Sequence, residues 1–347
     1  MGWPAMELCL GDLRASGNAV AWKQMGTSLN SETARPVSRK DSEGLLEAIE
    51  CGCSDRREGI FGPESAIWRV HREAGLFLGA GRAALLQLAH PWVAQAIEDH
   101  SQVMNAPIAR FHNTFRVMYA MVFGSMDQAL GAARHLYGLH TRIEGEIRED
   151  VASYKRGSHY QANEIAALAW VYATLIESAV LAYETVLGRL GDAEREAYYA
   201  ETKRLAALFG LPVEALPADW NAFEVYCRGM AGSDLLGVSE RARAMGQNLM
   251  AGAGSWLKLP RWYGSLTAAW MPERLRSGFG LAFGDEEQRA AERALRILPQ
   301  VYRRLPEAVR FVGPWHEAQA RLSGRGAGWV ARTSNRFWIG QERLPFA

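Results

Sequence analysis

Cysteine is scarce, with Cys9, Cys51, Cys53 and Cys227 the only four in 347 residues. Four scattered thiols make no disulfide framework at this length, so the expected compartment is a reducing one, the cytoplasm. Cys51-Gly52-Cys53 is one residue short of C-x-x-C and has no second cysteine pair, so it reads as incidental. An excess of one charge is missing too. The formal net charge is +1, which gives no electrostatic ground for nucleic acid or an anionic membrane as partner. No run reaches the roughly 18 uninterrupted apolar residues of a membrane span. The nearest, Ala166 to Tyr183, carries Glu177 in its middle and reads as a buried helix, so no transmembrane span is expected. The first residues show no charged region followed by an apolar core, so no secretory signal is expected. Strand alternation, internal repeats and an H-E-x-x-H zinc motif are also lacking.

What is present is helical patterning, aromatic bulk and clustered histidine. The apolar fraction of 48% is that of a globular chain, and a chain this long can bury a sizeable core without staples. Twelve Trp, eleven Tyr and twelve Phe suit a large apolar cavity and equally suit a tight core. Residues 1 to about 55 have no sustained period, and Ser28 to Ser42 is rich in Ser, Thr and Arg; this reads as a poorly ordered extension. Residues 56–347 then form one helical domain. A helix is expected to Ala89 with a second starting at Pro91, a favoured first helical position. Gln128 to Ile147 puts Leu136, Leu139, His140, Ile143 and Ile147 on one helical face, with Arg134, Arg142 and Glu146 opposite. Glu164 to Leu187 repeats the pattern. Asp192 caps the next helix, which stops at Gly210. Asp219, Gly232 with Ser233, and Gly264 mark later joints. The last helices run from about Asp285 to Ile297 and from Pro299 to Val312. The fold class is all-α.

Seven of the eight histidines fall between His71 and His159; the eighth is His316. Histidine is the commonest metal ligand, so such crowding hints at a metal or cofactor centre. Gly79-x-Gly81-x-x-Ala84 matches a dinucleotide fingerprint superficially, but the fingerprint works only after a β-strand. Close helix packing or a tight turn at small residues is the preferred reading. His90, before Pro91, is expected to satisfy loose backbone carbonyls. His100 follows Glu98-Asp99, but adjacent helix residues do not face each other. His140 sits on an apolar helical face, where a hydrogen-bonded core histidine is the common case. The same placement suits an axial haem ligand, a neutral imidazole aimed into a dry slot with its other ring nitrogen held by a carbonyl. Arg110 and Thr114 are four apart and share a helix face, with Asn113 beside them. They form either a solvated arginine and a packed threonine, or a polar patch that donates hydrogen bonds to dioxygen or a haem propionate.

These residues resemble the MpaB and latex-clearing-protein (rubber oxygenase) catalytic-domain family. The likeness starts at Phe61-Gly62-Pro63-Glu64-Ser65 and Trp68-Arg69-Val70. It continues through Gly81-Arg82-Ala83-Ala84-Leu85-Leu86-Gln87-Leu88-Ala89-His90-Pro91, His100-Ser101, Arg110 and Thr114, Val122-Phe123-Gly124, His140 with Gly145, and Trp170-Val171-Tyr172-Ala173-Thr174. It covers roughly 60 to 325 and is most specific from 79 to 145. The resemblance implies an all-helical, globin-like domain that holds a b-type haem and uses O2 on the double bonds of isoprenoid chains. It implies that His140 matches the proximal iron ligand and that Arg110 and Thr114 match conserved pocket residues. Two positions depart from the pattern. Asn113 stands where latex-clearing proteins have a distal lysine, which leaves an open or water-filled distal position. Tyr172 stands where Trp-Val-His is common, to hydrogen-bond in the pocket or to fill the core. Arg69 and Arg82 are candidates for the propionates.

The resulting expectation is a haem b-dependent oxygenase acting with O2 on a small apolar, isoprenoid-like substrate. It places His140 on the iron, with Arg110, Thr114 and Asn113 around the substrate and Tyr172 near the cofactor. A non-catalytic helical protein of the same fold that binds haem or an apolar ligand is the alternative, and a non-haem metal enzyme using the same histidines is a third.

Overall fold

A computed structural model describes residues 35–52, 55–100, 107–252 and 259–346. Helices dominate, in keeping with an all-α chain: α1 Arg39–Cys51, α2 Ala66–His71, α3 Ala80–Leu88, α4 Pro91–His100, α5 Pro107–Phe123, α6 Met126–His140, α7 Ile165–Leu187, α8 Asp192–Leu208, α9 Trp220–Gly232 and α10 Glu240–Met250. They continue through α11 Arg261–Trp270, α12 Glu273–Gly278, α13 Asp285–Tyr302, α14 Glu307–Arg310, α15 Gly313–Leu322 and α16 Trp329–Ile339. A two-stranded antiparallel hairpin pairs β1 Glu144–Glu146 with β2 His159–Gln161. Three residues per strand are too few for alternation to show, which is why the sequence does not announce them.

The longest helix, α7, is apolar nearly all round, and such a helix has to be buried on every side. It forms the axis of the core, with Trp170, Tyr172, Ala173 and Ile176 at 2% exposure or less. By length and composition alone α7 could cross a membrane; 67% of its apolar window is buried within the protein. Its one mid-helix charge, Glu177, accepts a hydrogen bond from Arg82 Nη2 of α3 at 2.7 Å. The other Arg82 nitrogens donate to Ser178 Oγ and to the Trp270 carbonyl, each at 3.0 Å. Just before α3, Gly79 lies against α7 so closely that a Cβ would stand 2.5 Å from the Ser178 carbonyl oxygen. The Gly79-x-Gly81 pair is therefore a helix-packing device. A 3-10 turn, Ala74–Gly79, precedes it rather than a strand.

Several boundaries differ from those read in the sequence. Residues 35–52 do not belong to a loose extension. Ser38 Oγ accepts the Asp41 N–H at 3.1 Å and Asp41 accepts the Ser38 N–H at 3.2 Å, a capping box that starts α1. Leu46, 1% exposed, then ties α1 into the core against α8. The expectation for residues 1–34 lies outside the described residues. Gly191, not Asp192, caps α8, and the Glu194 carboxylate accepts its N–H at 2.9 Å. Gly264 lies inside α11 rather than at a joint. Pro299 stays within α13, which runs on to Tyr302. The carbonyl four residues back belongs to Leu295, an exposed position where water can replace the missing N–H. The helix expected to reach Ile147 ends at His140. The apolar spacing of Ile143 and Ile147 continues past the helix because Ile143 lines a cavity and Ile147 is buried next to a hairpin that packs on α4, not because the helix continues.

Candidate active site

The last turn of α6 opens onto a cavity of about 940 Å³. Its walls come from α4, α5, α6, α7, the hairpin and the segment after α16. This volume falls at the upper end of the roughly 300–1,000 Å³ typical of small-molecule and cofactor sites.

Helix α5 is held in register by an aromatic ridge. Phe111, Phe115, Tyr119 and Phe123 recur every four residues and pack in succession with tilted rings, at centroid separations of 4.6, 5.2 and 5.9 Å. Trp338 of α16 packs on the first three of them. With that ridge turned inward, Arg110, Asn113, Thr114 and Val117 share the neighbouring face and line the cavity. Burial lowers the Arg110 pKa, the expected effect of holding a cation beside apolar walls. Asn113 Oδ1 accepts a hydrogen bond from Arg116 Nη1 at 3.0 Å.

Helix α6 starts at a capping box between Ser125 and Gln128 and buries Ala129, Leu130, Ala132 and Ala133. That packing carries Leu136, Leu139 and His140 to the cavity. His140 is the last helical residue, with Thr141 as the C-cap. Burial pushes its pKa down to about 4, so the imidazole is neutral near pH 7. Among the described residues neither ring nitrogen has a hydrogen-bond partner, so the carbonyl expected behind the ring is not there. Apolar walls are completed by Ile97 of α4 and by Leu168, Val171 and Leu175 of α7.

Four of the five site residues read from the sequence thus meet in one cavity: His140, Arg110, Asn113 and Thr114. Tyr172 does not. It is 2% exposed in the core, where its hydroxyl donates to Thr202 Oγ1 at 2.8 Å, and its neighbour Val171 faces the cavity instead. The two candidate propionate arginines also point elsewhere, Arg82 to its buried cluster and Arg69 to Glu194 at 2.9 Å. His90 does not serve loose carbonyls; its Nε2 meets the Tyr154 hydroxyl at 3.2 Å. His100 lines the cavity with its Nε2 on the Glu144 carbonyl at 3.0 Å.

Sequence reading missed Trp92, Tyr160, Gln341, Pro345 and Phe346 as wall residues. The signal for Trp92 was available, because Trp92, Ala96 and His100 recur every four residues on one face of α4. Tyr160 carries no such signal; its hydroxyl donates to Asp99 Oδ2 at 2.8 Å across the hairpin boundary.

Among the described residues no group of three or more His, Cys, Asp or Glu side chains is placed to hold a bare metal ion. Of the three histidines that line the cavity, His100 meets the Glu144 carbonyl and His135 packs on Phe346, while the His140 imidazole has the donor chemistry for a macrocyclic metal, which brings its own equatorial nitrogens and needs one axial ligand from the protein.

The sequence was compared with known proteins. No curated protein matches, and no solved structure does. A family model described as ER-bound oxygenase mpaB/B'/Rubber oxygenase, catalytic domain, matches residues 68–311, well over half of the chain and nearly all of the cavity's walls. The chain belongs to this family of oxygenase catalytic domains.

Proposed function

We propose that this oxygenase is haem b-dependent and acts with O2 on a small apolar substrate, with isoprenoid alkenes the first class to test. The observation that carries the reading is a single cavity in which the neutral imidazole of His140, without a hydrogen-bond partner among the described residues, meets the polar trio Arg110, Asn113 and Thr114 among apolar walls. These residues fit the group. His140 would hold the iron, and Arg110 would place a desolvated positive charge for a carboxylate of the cofactor or for polarised oxygen. Bound haem would supply the dioxygen chemistry.

The chain's own contributions follow from the geometry. At neutral pH His140 keeps a lone pair available, because burial disfavours its protonated form. Thr114 offers a hydroxyl and Asn113 an amide N–H₂ as donors toward the cavity. Leu136, Val171 and Leu175 exclude water and favour an apolar substrate. The scarcity of cysteine supports a cytoplasmic place for this reaction.

The test is an absorption spectrum of protein expressed with ample haem, wild type beside His140→Ala. A Soret band that weakens or shifts in the variant supports haem ligated by His140. No Soret band in either protein overturns the haem reading. Oxygen uptake by the ferrous protein with an alkene then separates an enzyme from a carrier of the same fold.

A further inference from the structure

Gln341, Pro345 and Phe346 lie beyond the family match, yet they complete the cavity wall. The segment that carries them is firmly anchored. Glu317 of α15 accepts the Leu344 N–H with both carboxylate oxygens, at 3.0 and 3.2 Å. Gln128 of α6 donates to the Leu344 carbonyl at 3.0 Å, and Asn335 of α16 donates to the Glu342 carbonyl at 2.9 Å. The Leu344 side chain is 5% exposed.

The turn into this segment is equally constrained. Gly340 is left-handed at φ +68°, and a Cβ there would stand 2.4 Å from His112 Nδ1 of α5. His112 Nε2 meets the Phe337 carbonyl at 3.1 Å and Arg116 Nε donates to the Ile339 carbonyl at 2.6 Å. Both are end carbonyls that a helix leaves unsatisfied. The ring of Phe346 lies 5.2 Å from the His135 ring of α6, on a backbone at φ +69° that bulky residues rarely adopt. So many contacts on so short a stretch hold a costly conformation in one place.

We infer that Gln341–Phe346 is the length-selecting wall of the cavity, with Phe346 and Pro345 setting how long a linear apolar ligand this chain accepts. The inference rests on reading the cavity as the substrate site. A compliant wall yields to each added methylene, whereas a rigid one rejects it, and pocket discrimination of this kind is worth about 10–200-fold per methylene. Anchoring at Glu317 supplies the rigidity.

The experiment is isothermal titration calorimetry of the full chain with a homologous series of linear 1-alkenols, on samples whose absorption spectrum has been recorded. Wild-type affinity is expected to climb with length and then fall about tenfold at a limiting length. Phe346→Ala is expected to move that limit to longer alkenols, with affinity for the first rejected member rising about tenfold and short members changing less than about twofold. Phe346→Trp, which keeps the bulk in case the alanine variant misfolds, moves the limit to shorter ones. A limit at the same length in both variants overturns the inference, as does an equal shift at every length or no alkenol binding at all. A missing Soret band defeats the haem reading and leaves the length limit free to be judged. A Soret band with an immovable limit keeps that reading and discards the wall.

Discussion

Arg116 clamps Asn113 by its amide oxygen, Nη1 to Oδ1 at 3.0 Å, while its Nε holds the Ile339 carbonyl at 2.6 Å. One guanidinium therefore joins the polar face of the cavity to the end of α16. Hydrogen bonds from a charged donor contribute about 1.5–3 kcal/mol each when well protected, and less here, where Asn113 is exposed. Arg116→Ala is expected to lower unfolding free energy by about 1–3 kcal/mol in urea titration. Asn113→Ala, at an exposed position, is expected to stay within about 0.5 kcal/mol of the wild type.

Acid should unfold this protein through its buried histidines. Burial pushes His71, His90 and His140 each down to about 4. Between an unfolded value near 6.5 and about 4, the unfolded chain binds protons that the folded chain refuses, so stability rises with pH across that window. The contribution is complete above about pH 6.5 and is lost as pH falls to about 4. For His90, 3% exposed, it amounts to roughly 3 kcal/mol at most. Urea midpoints measured at steps through this window should slope less steeply in His90→Gln than in the wild type. Parallel slopes would mean that His90 is not held neutral.

Tyr172→Phe removes a hydroxyl that donates to Thr202 Oγ1 inside the core. The expected loss is about 1 kcal/mol, with more if the Thr202 hydroxyl finds no other partner. Because Tyr172 does not line the cavity, the Soret band of haem-loaded protein should keep its position. A shifted band would return Tyr172 to the site.

Two glycines should respond in opposite directions to alanine. At Gly79 the new methyl would meet the Ser178 backbone at 2.5 Å, where nothing flexible can yield, and a loss of about 2–4 kcal/mol is expected. At Gly138, inside α6, nothing lies within 4 Å of the added Cβ. Gly138→Ala should stabilise by up to about 1 kcal/mol, since alanine is the better helix former. Thermal unfolding of the two variants side by side checks both.

The sequence discloses those parts of the site that ride on regular helices. Arg110 and Thr114 are legible as partners because four residues make just over one turn, and the aromatic ridge of α5 repeats at the same interval. His140 is legible as a residue but not as a helix end, since Ile143 and Ile147 continue its apolar spacing from outside the helix. Tyr172 and Val171 point about 100° apart on α7, and when nearly every face is apolar no pattern in α7 fixes the rotation that decides which of them meets the cavity. Gln341–Phe346 has no period at all. Its shape comes from Glu317 and Gln128, both far from it in sequence, and from Asn335, seven residues before Glu342.

Glu177 has two readers. To the machinery that sorts a nascent chain, residues 165–187 present the length and composition of a span, broken near the middle by one carboxylate. A central acid disfavours insertion by ~2.5–3.5 kcal/mol on the scale measured for aspartate. To the finished protein the same carboxylate is the partner of Arg82. The charge that argues against a lipid fate during synthesis thus becomes, after folding, the rivet between the axial helix and the glycine-bearing helix beside it.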